Sequence, residues 1–446
     1  MNKASLVGHV LELLELVDRS TQPPDHIVSD FFKSKKYLGS HDRRFISETV
    51  FGMIRHRRFL EALLEQYVSL HPAEDSLDAT RQRYLSLFVV YGVAVQNHIE
   101  NSQPASGVVP ESYWKTYFPK FELQSFIEWI LSNKTLGFLE DDAVVQLGVR
   151  YSFLEWMIEE WQHQIGDEVE ELLAACNSPA PVTLRVNLTK VSREDCMLRL
   201  RAEGVEATPT RLSQAGLISQ KRFNQQALQS FKDGWFEMQD EGSQIVSFVL
   251  NPRPGEIIID GCAGAGGKTL HAADLMKEEG EIIAIDVDAK RLSELRRRAE
   301  RAGTRIIRTI VRDELRAEDF YGKADRVLVD APCSGVGTIR RNPGFKWSVT
   351  ESLVEHYAGL QKEILQFNSQ LVKPDGLLIY TTCSLFQKEN EDVVDNFLSQ
   401  HNEFEITKPD ISAFNIHTNQ NDQFVKLFPH RYGTDGFFIA AMKRRP

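Results

Sequence analysis

Apolar positions in the first third of the chain recur at helical spacing. Leu6, Val10, Leu13, Leu14 and Val17 share one face of a 3.6-residue period. A second such segment runs from Asp42 through Phe45, Val50, Ile54 and Phe59 to Leu64, and a third covers Arg81 to Val95. Strand alternation and Gly-rich turns are scarce here, so the pattern predicts an all-α domain over residues 1–145. Within it, residues 101–112 read as loop or linker, being rich in Ser, Pro and Gly. Helical pattern resumes between Phe121 and Cys176, with Trp129, Trp156 and Trp161 as core residues. Ser178-Pro-Ala-Pro181 then breaks it. Val182 to Leu188 alternates as a strand, Arg193 to Glu203 reads as a helix, and strand-like sequence follows to about Phe236. Linker helices and a small α+β subdomain are expected over 146–236.

From residue 237 to 446 the rhythm is that of alternating strands and helices. Glu256-Ile-Ile-Ile-Asp260 is a short apolar run ending in an acid, followed by a Gly-rich turn and a helical stretch from Ala272 to Lys277. Glu281 to Asp286 repeats the strand-then-acid form. A helix over Lys290–Ala302 leads to a third strand, Ile306–Val311, with Asp313 just beyond it. The fourth and fifth strands are Val327-Leu-Val-Asp330 and Leu377-Leu-Ile-Tyr380, separated by a helix from about Thr350 to Leu371. Such βαβ alternation predicts an α/β fold: a mostly parallel, Rossmann-like sheet covered by helices on both faces. The tail, Phe424 to Met442, alternates around Gly433 and Gly436 and predicts a closing antiparallel hairpin. Ligands of these sheets bind beyond the carboxyl ends of the strands. Asp260, Asp286, Asp313, Asp330 and Cys383 all fall there.

Composition narrows the class. The 446 residues are 42% hydrophobic and 26% charged, enough for two or three globular cores. No run of about 18 uncharged apolar residues occurs, so no membrane span is expected. Glu12 and Glu15 interrupt the apolar start, which excludes a secretory leader's core. Five scattered cysteines without a C-x-x-C pair argue against a disulfide framework or a zinc site, and for a reducing cytoplasm. The net charge of −11 is mildly adverse to nucleic-acid binding, so any RNA partner requires local basic clusters. Candidates are Lys290-Arg291, Arg296-Arg297-Arg298 with Arg301, Arg305 and Arg308, then Arg340-Arg341 with Lys346, and Lys443-Arg444-Arg445. The 296–298 run reads as a solvated helix face. Arg340 and Arg341 follow directly on a thiol loop, where a functional contact is expected. His41-Asp42-Arg43-Arg44 reads as a solvated helix start.

The Gly-rich turn Asp260-Gly-Cys262-Ala263-Gly264-Ala265-Gly266-Gly267-Lys268-Thr269 ends like a phosphate loop. Counting back from Gly267, however, the required first glycine falls on Cys262. The dinucleotide fingerprint fails too, because the third glycine is misplaced. Asp286, about 20 residues on, suits ribose hydroxyls. Asp313 can then accept from an adenine amino group, and the turn's N–H groups can meet a carboxylate at a helix N-terminus. A nucleoside lacking pyrophosphate fits this set, and S-adenosylmethionine is such a molecule. No metal is required.

Two thiols and an acid complete the picture. Cys333 follows Asp330-Ala-Pro332, and Cys383 follows Tyr380-Thr-Thr382, so both stand at the ends of neighbouring strands and would face one crevice. Carbon 5 of a pyrimidine is a poor nucleophile until a thiolate adds to carbon 6. An acid beside the thiol, here Asp330, can supply a proton or hydrogen bond at N3. Position alone does not rank the two sulfurs. Cys176 and Cys196 read as packing residues, and Cys262 partly so.

Asp330-Ala-Pro-Cys333-Ser-Gly335, Thr382-Cys383-Ser384 and the turn from Cys262 to Thr269 resemble the NOL/NOP/Sun family of RNA 5-methylcytosine methyltransferases. Gln239-Asp-Glu-Gly-Ser-Gln244, Leu184-Arg-Val-Asn187 and Gly433-Thr-Asp-Gly-Phe-Phe438 are similar to its further motifs. The match covers residues 175 to 446. The first domain resembles, through Leu38 to Arg55, the NusB-like RNA-binding domain of the branch that methylates bacterial 16S ribosomal RNA. The resemblance implies a class I methyltransferase fold and S-adenosylmethionine as cofactor. As substrate it implies small-subunit ribosomal RNA or the assembling 30S subunit, bound by a cytoplasmic monomer. It also implies roles: Cys383 as nucleophile, Cys333 in product release, and residues 262–268, Asp286, Asp313 and Asp330 at the cofactor. The family's turn usually reads Ala-Ala-Pro-Gly-Gly-Lys; Gly264-Ala265 departs from it and implies a more flexible turn. Two other readings compete: a nucleotide hydrolase using the Gly-Lys-Thr turn, and a catalytically idle RNA-binding factor.

Overall fold

A computed structural model of the chain describes residues 1–20, 22–71, 80–96, 107–135, 142–416 and 423–446. They divide into two compact units, Met1–Asn177 with Arg341–Ser348, and Ser178–Arg340 with Val349–Pro446. Among the described residues, no helix is long and apolar enough to cross a membrane.

The first unit is helical: α1 (Lys3–Asp18), α2 (Pro24–Ser34), α3 (Ser40–Arg55), α4 (Arg57–Leu70), α5 (Thr80–Val90) with a π-helical turn at Tyr91–Val95, α6 (Glu111–Tyr117), α7 (Leu123–Asn133), α8 (Ala143–Tyr151), α9 (Glu155–Ile165) and α10 (Val169–Asn177). The Asn2 side chain caps α1 by accepting from Ser5 N, and the helix buries Val7, Val10, Leu11, Leu13 and Leu14. The apolar segment from Asp42 to Leu64 is two helices rather than one. His56, at φ −110° and ψ 18°, interrupts it. Of the loop expected over 101–112, residues 101–106 lie outside the described residues, and its end already belongs to α6. Trp161 is fully buried, whereas Trp129 and Trp156 are partly so. The helices α8 to α10 belong to this unit and not with the α+β subdomain expected over 146–236. Arg58 of α4 donates to Phe153 O at 2.8 Å, and Phe59 N–H donates to Ser152 Oγ at 3.0 Å, so polar contacts bind α4 to the α8–α9 turn.

The second unit carries two sheets. The smaller joins β1 (Val182–Val186), β2 (Ala207–Pro209), β3 (Gly216–Ser219) and β4 (Phe236–Met238) in the antiparallel order β2-β3-β1-β4. α11 (Arg193–Ala202) and α12 (Gln229–Lys232) accompany it. After α13 (Glu241–Leu250) come β5 (Ile257–Asp260), α14 (Gly267–Leu275), β6 (Glu281–Asp286), α15 (Ala289–Ala302), β7 (Ile307–Val311) and β8 (Ala324–Asp330). The chain then lends α16 (Phe345–Ser348) to the helical unit. It returns with α17 (Glu351–Ser369), β9 (Val372–Thr382), α18 (Glu391–Gln400), β10 (Phe404–Thr407), β11 (Val425–Leu427), α19 (Pro429–Tyr432) and β12 (Phe437–Arg444).

The large sheet runs β10-β12-β9-β8-β5-β6-β7, with β11 on β12. Strands β5 to β9 pair in parallel, and β12 pairs antiparallel with β9, β10 and β11. Ile258, Ile259, Ile283, Ile285, Val327 and Val329 are buried, as continuous apolar runs covered on both faces should be. α15 shows the covering logic: Asp288 caps its start, Gly303 ends it in the left-handed region, and Leu292, Leu295, Ala299 and Ala302 face inward. Strand order reverses between β5 and β8, which opens the ligand crevice of such sheets at their carboxyl ends.

Two readings of the basic residues are corrected. Arg298 is not on a solvated face. It and Arg301 both pair with the buried Glu237, and Arg298 Nη1 also donates to Ala265 O at 2.7 Å. Arg340 is buried, donating to Gly433 O at 2.7 Å and Pro179 O at 2.9 Å, and Lys346 is completely buried in the helical unit. Each satisfies interior acceptors, so none of the four is a surface contact for phosphate.

Candidate active site

Asp330 is the last residue of β8 and stands in register with Thr381 of β9. Three residues past the first and two past the second, the sulfurs of Cys333 and Cys383 come within 3.4 Å of each other. Both cysteines are free and half-buried. Parallel pairing of β8 and β9 is what brings together two residues fifty apart in sequence. The two loops are joined further on, where Gly337 N–H donates to Cys383 O at 2.9 Å and Gly436 N–H to Gly337 O at 2.8 Å. A Cβ at Gly337 would collide with the carbonyl oxygens of Gly436 and Cys383, so only glycine permits this approach.

The Gly-rich turn reaches the same place through Lys268. Its Nζ lies 2.6 Å from Asp330 Oδ2 and 5.2 Å from the centre of the Phe437 ring. Burial alone would lower the Lys268 ammonium. Attraction and hydrogen bonding to Asp330, with smaller contributions from Cys383 and Asp260, instead hold it above its ordinary value. Lys268 is therefore a cation paired with the acid and within electrostatic reach of the Cys383 sulfur. Asp330 is partly exposed, and its Oδ1 makes no hydrogen bond among the described residues. The Cys333 thiol is pushed well up, first by its hydrogen bond to Cys383, then by burial and by repulsion from Cys383 and Glu389.

The remaining turn residues form the cradle. Ala263 N–H donates to Ile285 O at 2.9 Å and Gly264 N–H to Asp286 Oδ2 at 2.8 Å, while Asp286 Oδ1 accepts from Asp288 N–H at 2.8 Å. Each Asp286 oxygen thus keeps a lone pair for a hydroxyl. Gly266 starts α14 without a side-chain cap, leaving the helix's first amides open to an anion. Space beyond Gly264 is open: a Cβ there would meet nothing within 4 Å. Buried Arg185 fixes the far side, donating to Gly267 O at 2.6 Å and Gln239 Oε1 at 2.7 Å. Burial pushes Asp260 up to about 7, with its Oδ2 accepting from Thr269 Oγ1 at 2.7 Å, and burial also raises the Cys262 thiol. Asp313 lies in a 3-10 turn two residues past the end of β7, exposed, and makes no hydrogen bond to the other site residues among the described residues. These donors and acceptors fit S-adenosylmethionine. They do not fit a triphosphate, because Lys268 and Thr269 are engaged by Asp330 and Asp260.

Sequence reasoning did not find Glu389. It is completely buried in the 3-10 turn Gln387–Glu389, where it accepts from Ser334 and Ser384, the residues that follow the two cysteines. Its setting, Gln387-Lys-Glu-Asn-Glu-Asp392, reads as a solvated helix start. Glu237 was likewise hidden in strand alternation, whereas Arg185 was visible only as part of the Leu184–Asn187 motif and not as a contact of the turn.

Residues 247–443 match a family model described as 16S rRNA methyltransferase RsmB/F, and residues 154–225 match its ferredoxin-like domain. A probable ribosomal RNA small subunit methyltransferase B of Synechocystis sp. is 32% identical over 92% of this chain and 93% of its own length. One from Bacillus subtilis is 29% identical along the whole of both chains. Among solved structures, PH0851 superposes with a TM-score of 0.76 at 27% identity, covering 100% of this chain and 99% of that one.

Proposed function

The chain belongs to the RsmB/F family of S-adenosylmethionine-dependent 16S rRNA methyltransferases, and from that premise we propose that it methylates carbon 5 of a cytosine in small-subunit ribosomal RNA through a covalent bond from Cys383 to carbon 6. The observation that carries this reading is the pair of sulfurs 3.4 Å apart beside the Lys268–Asp330 ion pair.

In this reading Cys383 Sγ adds to carbon 6 of a cytosine turned out of its stack. The Lys268 ammonium steadies negative charge at that sulfur. Asp330 Oδ1 holds a proton at N3, draining the charge that addition creates. Bound S-adenosylmethionine supplies an electrophilic methyl group to carbon 5. The carbon 5 proton then passes to water in the partly exposed crevice, its electron pair re-forms the carbon 5–carbon 6 double bond, and the carbon–sulfur pair leaves with Cys383 as a thiolate. Cys333, adjoining the Cys383 sulfur, supports a role in that release. The turn from Cys262 to Lys268 with Asp286 holds the cofactor, and Asp313 closes round its adenine end. Residues 237–446 are the catalytic domain. The NusB-like helices within residues 1–145 dock RNA, and the enzyme works as a cytoplasmic monomer on free rRNA or the assembling subunit.

The test is incubation with methyl-labelled cofactor and unmodified small-subunit rRNA, followed by nucleoside analysis. Label is expected in 5-methylcytidine alone, and none with Cys383→Ala. Normal turnover by Cys383→Ala, or label in another nucleoside, overturns the reading.

A further inference from the structure

Glu389 is a buried carboxylate without a cation. Its Oε1 accepts from Ser334 N–H at 2.7 Å and Gln361 Nε2 at 3.1 Å, and its Oε2 accepts from the hydroxyls of Ser334 and Ser384. Four neutral donors fill the four lone-pair positions of a carboxylate. No Lys or Arg pairs with it among the described residues, which makes it costly to bury. Its donors are not scattered. Ser334 follows Cys333, Ser384 follows Cys383, and Gln361 of α17 also holds Pro332 O at 2.9 Å. The adjoining Asn390 accepts from Thr382 Oγ1 and donates to Ser384 O at 3.1 Å. Tyr380 OH anchors the turn by donating to Glu389 O at 2.6 Å. Each cysteine is therefore gripped on both sides, and a single carboxylate is common to both grips.

We propose that Glu389 is a positioning residue for the thiol pair: by binding the serine after each cysteine it fixes the separation of the two sulfurs, and its charge makes them unequal. The inequality is one of surroundings. Cys333 adjoins Cys383, Glu389 and the phenol of Tyr380, whereas Cys383 interacts with the Lys268 ammonium as well as with Cys333. These surroundings push the Cys333 thiol up, so it gives up its proton less readily than a free thiol. This rests on the reading above that Cys383 is the nucleophile, but it is tested separately.

The measurement is iodoacetamide labelling of each cysteine, read peptide by peptide by mass spectrometry, in wild type, Glu389→Gln and Glu389→Asp. Methyl-transfer kinetics are measured alongside. In wild type at pH 8, Cys383 is expected to label about tenfold faster than Cys333 or more. Glu389→Gln keeps the size but removes the charge. It is expected to erase most of that preference, to extend Cys333 labelling to lower pH, and to cut kcat about 10- to 100-fold with KM for RNA unchanged. Glu389→Asp keeps the charge but reaches too short; it retains the labelling preference and still loses kcat. Should Glu389→Gln be recovered unfolded, Ser384→Ala removes one donor only and is expected to lower kcat about three- to tenfold. A Glu389→Gln enzyme that loses thermal stability while its labelling ratio stays at the wild-type value overturns the proposal, as does Ser384→Ala with unaltered kcat. Labelling needs neither RNA nor cofactor. A wild-type enzyme that makes no 5-methylcytidine therefore defeats the assigned function and leaves this result standing on its own.

Discussion

Lys268 Nζ lies 2.6 Å from Asp330 Oδ2, so the residue that ends the cofactor turn also holds the acid of the thiol crevice. In the proposed mechanism one buried cation thereby serves both halves of the reaction. Replacing it with the neutral, similarly sized methionine leaves Asp330 without its partner and the Cys383 sulfur without a nearby positive charge. Lys268→Met is expected to lower kcat about 100-fold or more, the effect of removing one preorganised electrostatic group. Calorimetric affinity for S-adenosylmethionine should fall much less. A variant that loses cofactor affinity and kcat in equal proportion would show that Lys268 serves the cofactor alone.

The two sulfurs differ in what their loss should do. In the proposed mechanism no covalent bond to the base can form without Cys383. In the same mechanism the bond forms without Cys333 but its release is impaired, so Cys333→Ala is expected to accumulate an enzyme–RNA complex that survives denaturing electrophoresis. At least about a tenfold excess over wild type is expected. Cys383→Ala and the double variant should show none. An adduct in Cys383→Ala instead would exchange the two roles.

Why these sulfurs were legible in the sequence, and Glu389 was not, follows from what sequence pattern encodes. A buried parallel strand is a continuous apolar run, so its carboxyl end can be read directly, and with it Asp260, Asp286, Asp330 and both cysteines. Helical period marks α1, α15 and α17 equally well. Burial of a charge leaves no such trace, because it depends on which donors arrive from elsewhere in the chain. Glu389 sits in a polar run and meets Ser334 from 55 residues away. Arg298 sits in an arginine run and meets Glu237 from 61 residues away. Lys346, read with the basic residues after the thiol loop, meets Arg55 from 291 residues away. Arg298 and Lys346 were misread, and Glu389 was passed over, for the same reason: charge next to charge in sequence looks like surface. The break at His56 escaped notice because no Gly or Pro marks it.

Asp260 makes stability depend on pH. Burial pushes its carboxyl up to about 7 from 3.8, opposed by the Thr269 hydrogen bond and Lys268 and reinforced by Asp330. The folded state therefore binds this proton more tightly than the unfolded state. That contribution is fully present below about pH 4 and is lost as pH rises through about 7, on the order of 4 kcal/mol in all. Asp260→Asn cannot ionise. Its melting temperature should match wild type near pH 4 and exceed it at pH 8, measured by calorimetry across that range. Parallel pH curves for the two proteins would mean that Asp260 titrates in its ordinary range.

Lys346 ties together the ends of three helices in the helical unit. Its Nζ donates to Arg55 O at 3.0 Å, to Tyr151 O at 3.1 Å and to Asn177 Oδ1, and it lies 3.7 Å from the centre of the Phe153 ring. Arg55, Tyr151 and Asn177 are the last residues of α3, α8 and α10. Burial, with the nearby Arg55, pulls the Lys346 ammonium well below its ordinary lysine value, and the partial negative charge and open carbonyls of the helix C-termini oppose that loss by accepting its N–H groups. A methionine fills the same space but takes one donor away from each of these three oxygens, Tyr151 O keeping Asn177 Nδ2 at 2.8 Å, and each lost donor costs about 1–3 kcal/mol where no water enters. Lys346→Met is expected to destabilise the helical unit by roughly 3–5 kcal/mol. Hydrogen exchange should localise the loss, with amides of α3, α8 and α10 exchanging faster while those of β5, β8 and β9 keep their protection. Loss of protection spread evenly over the chain, or none at all, would show that the ammonium is not what holds these helix ends.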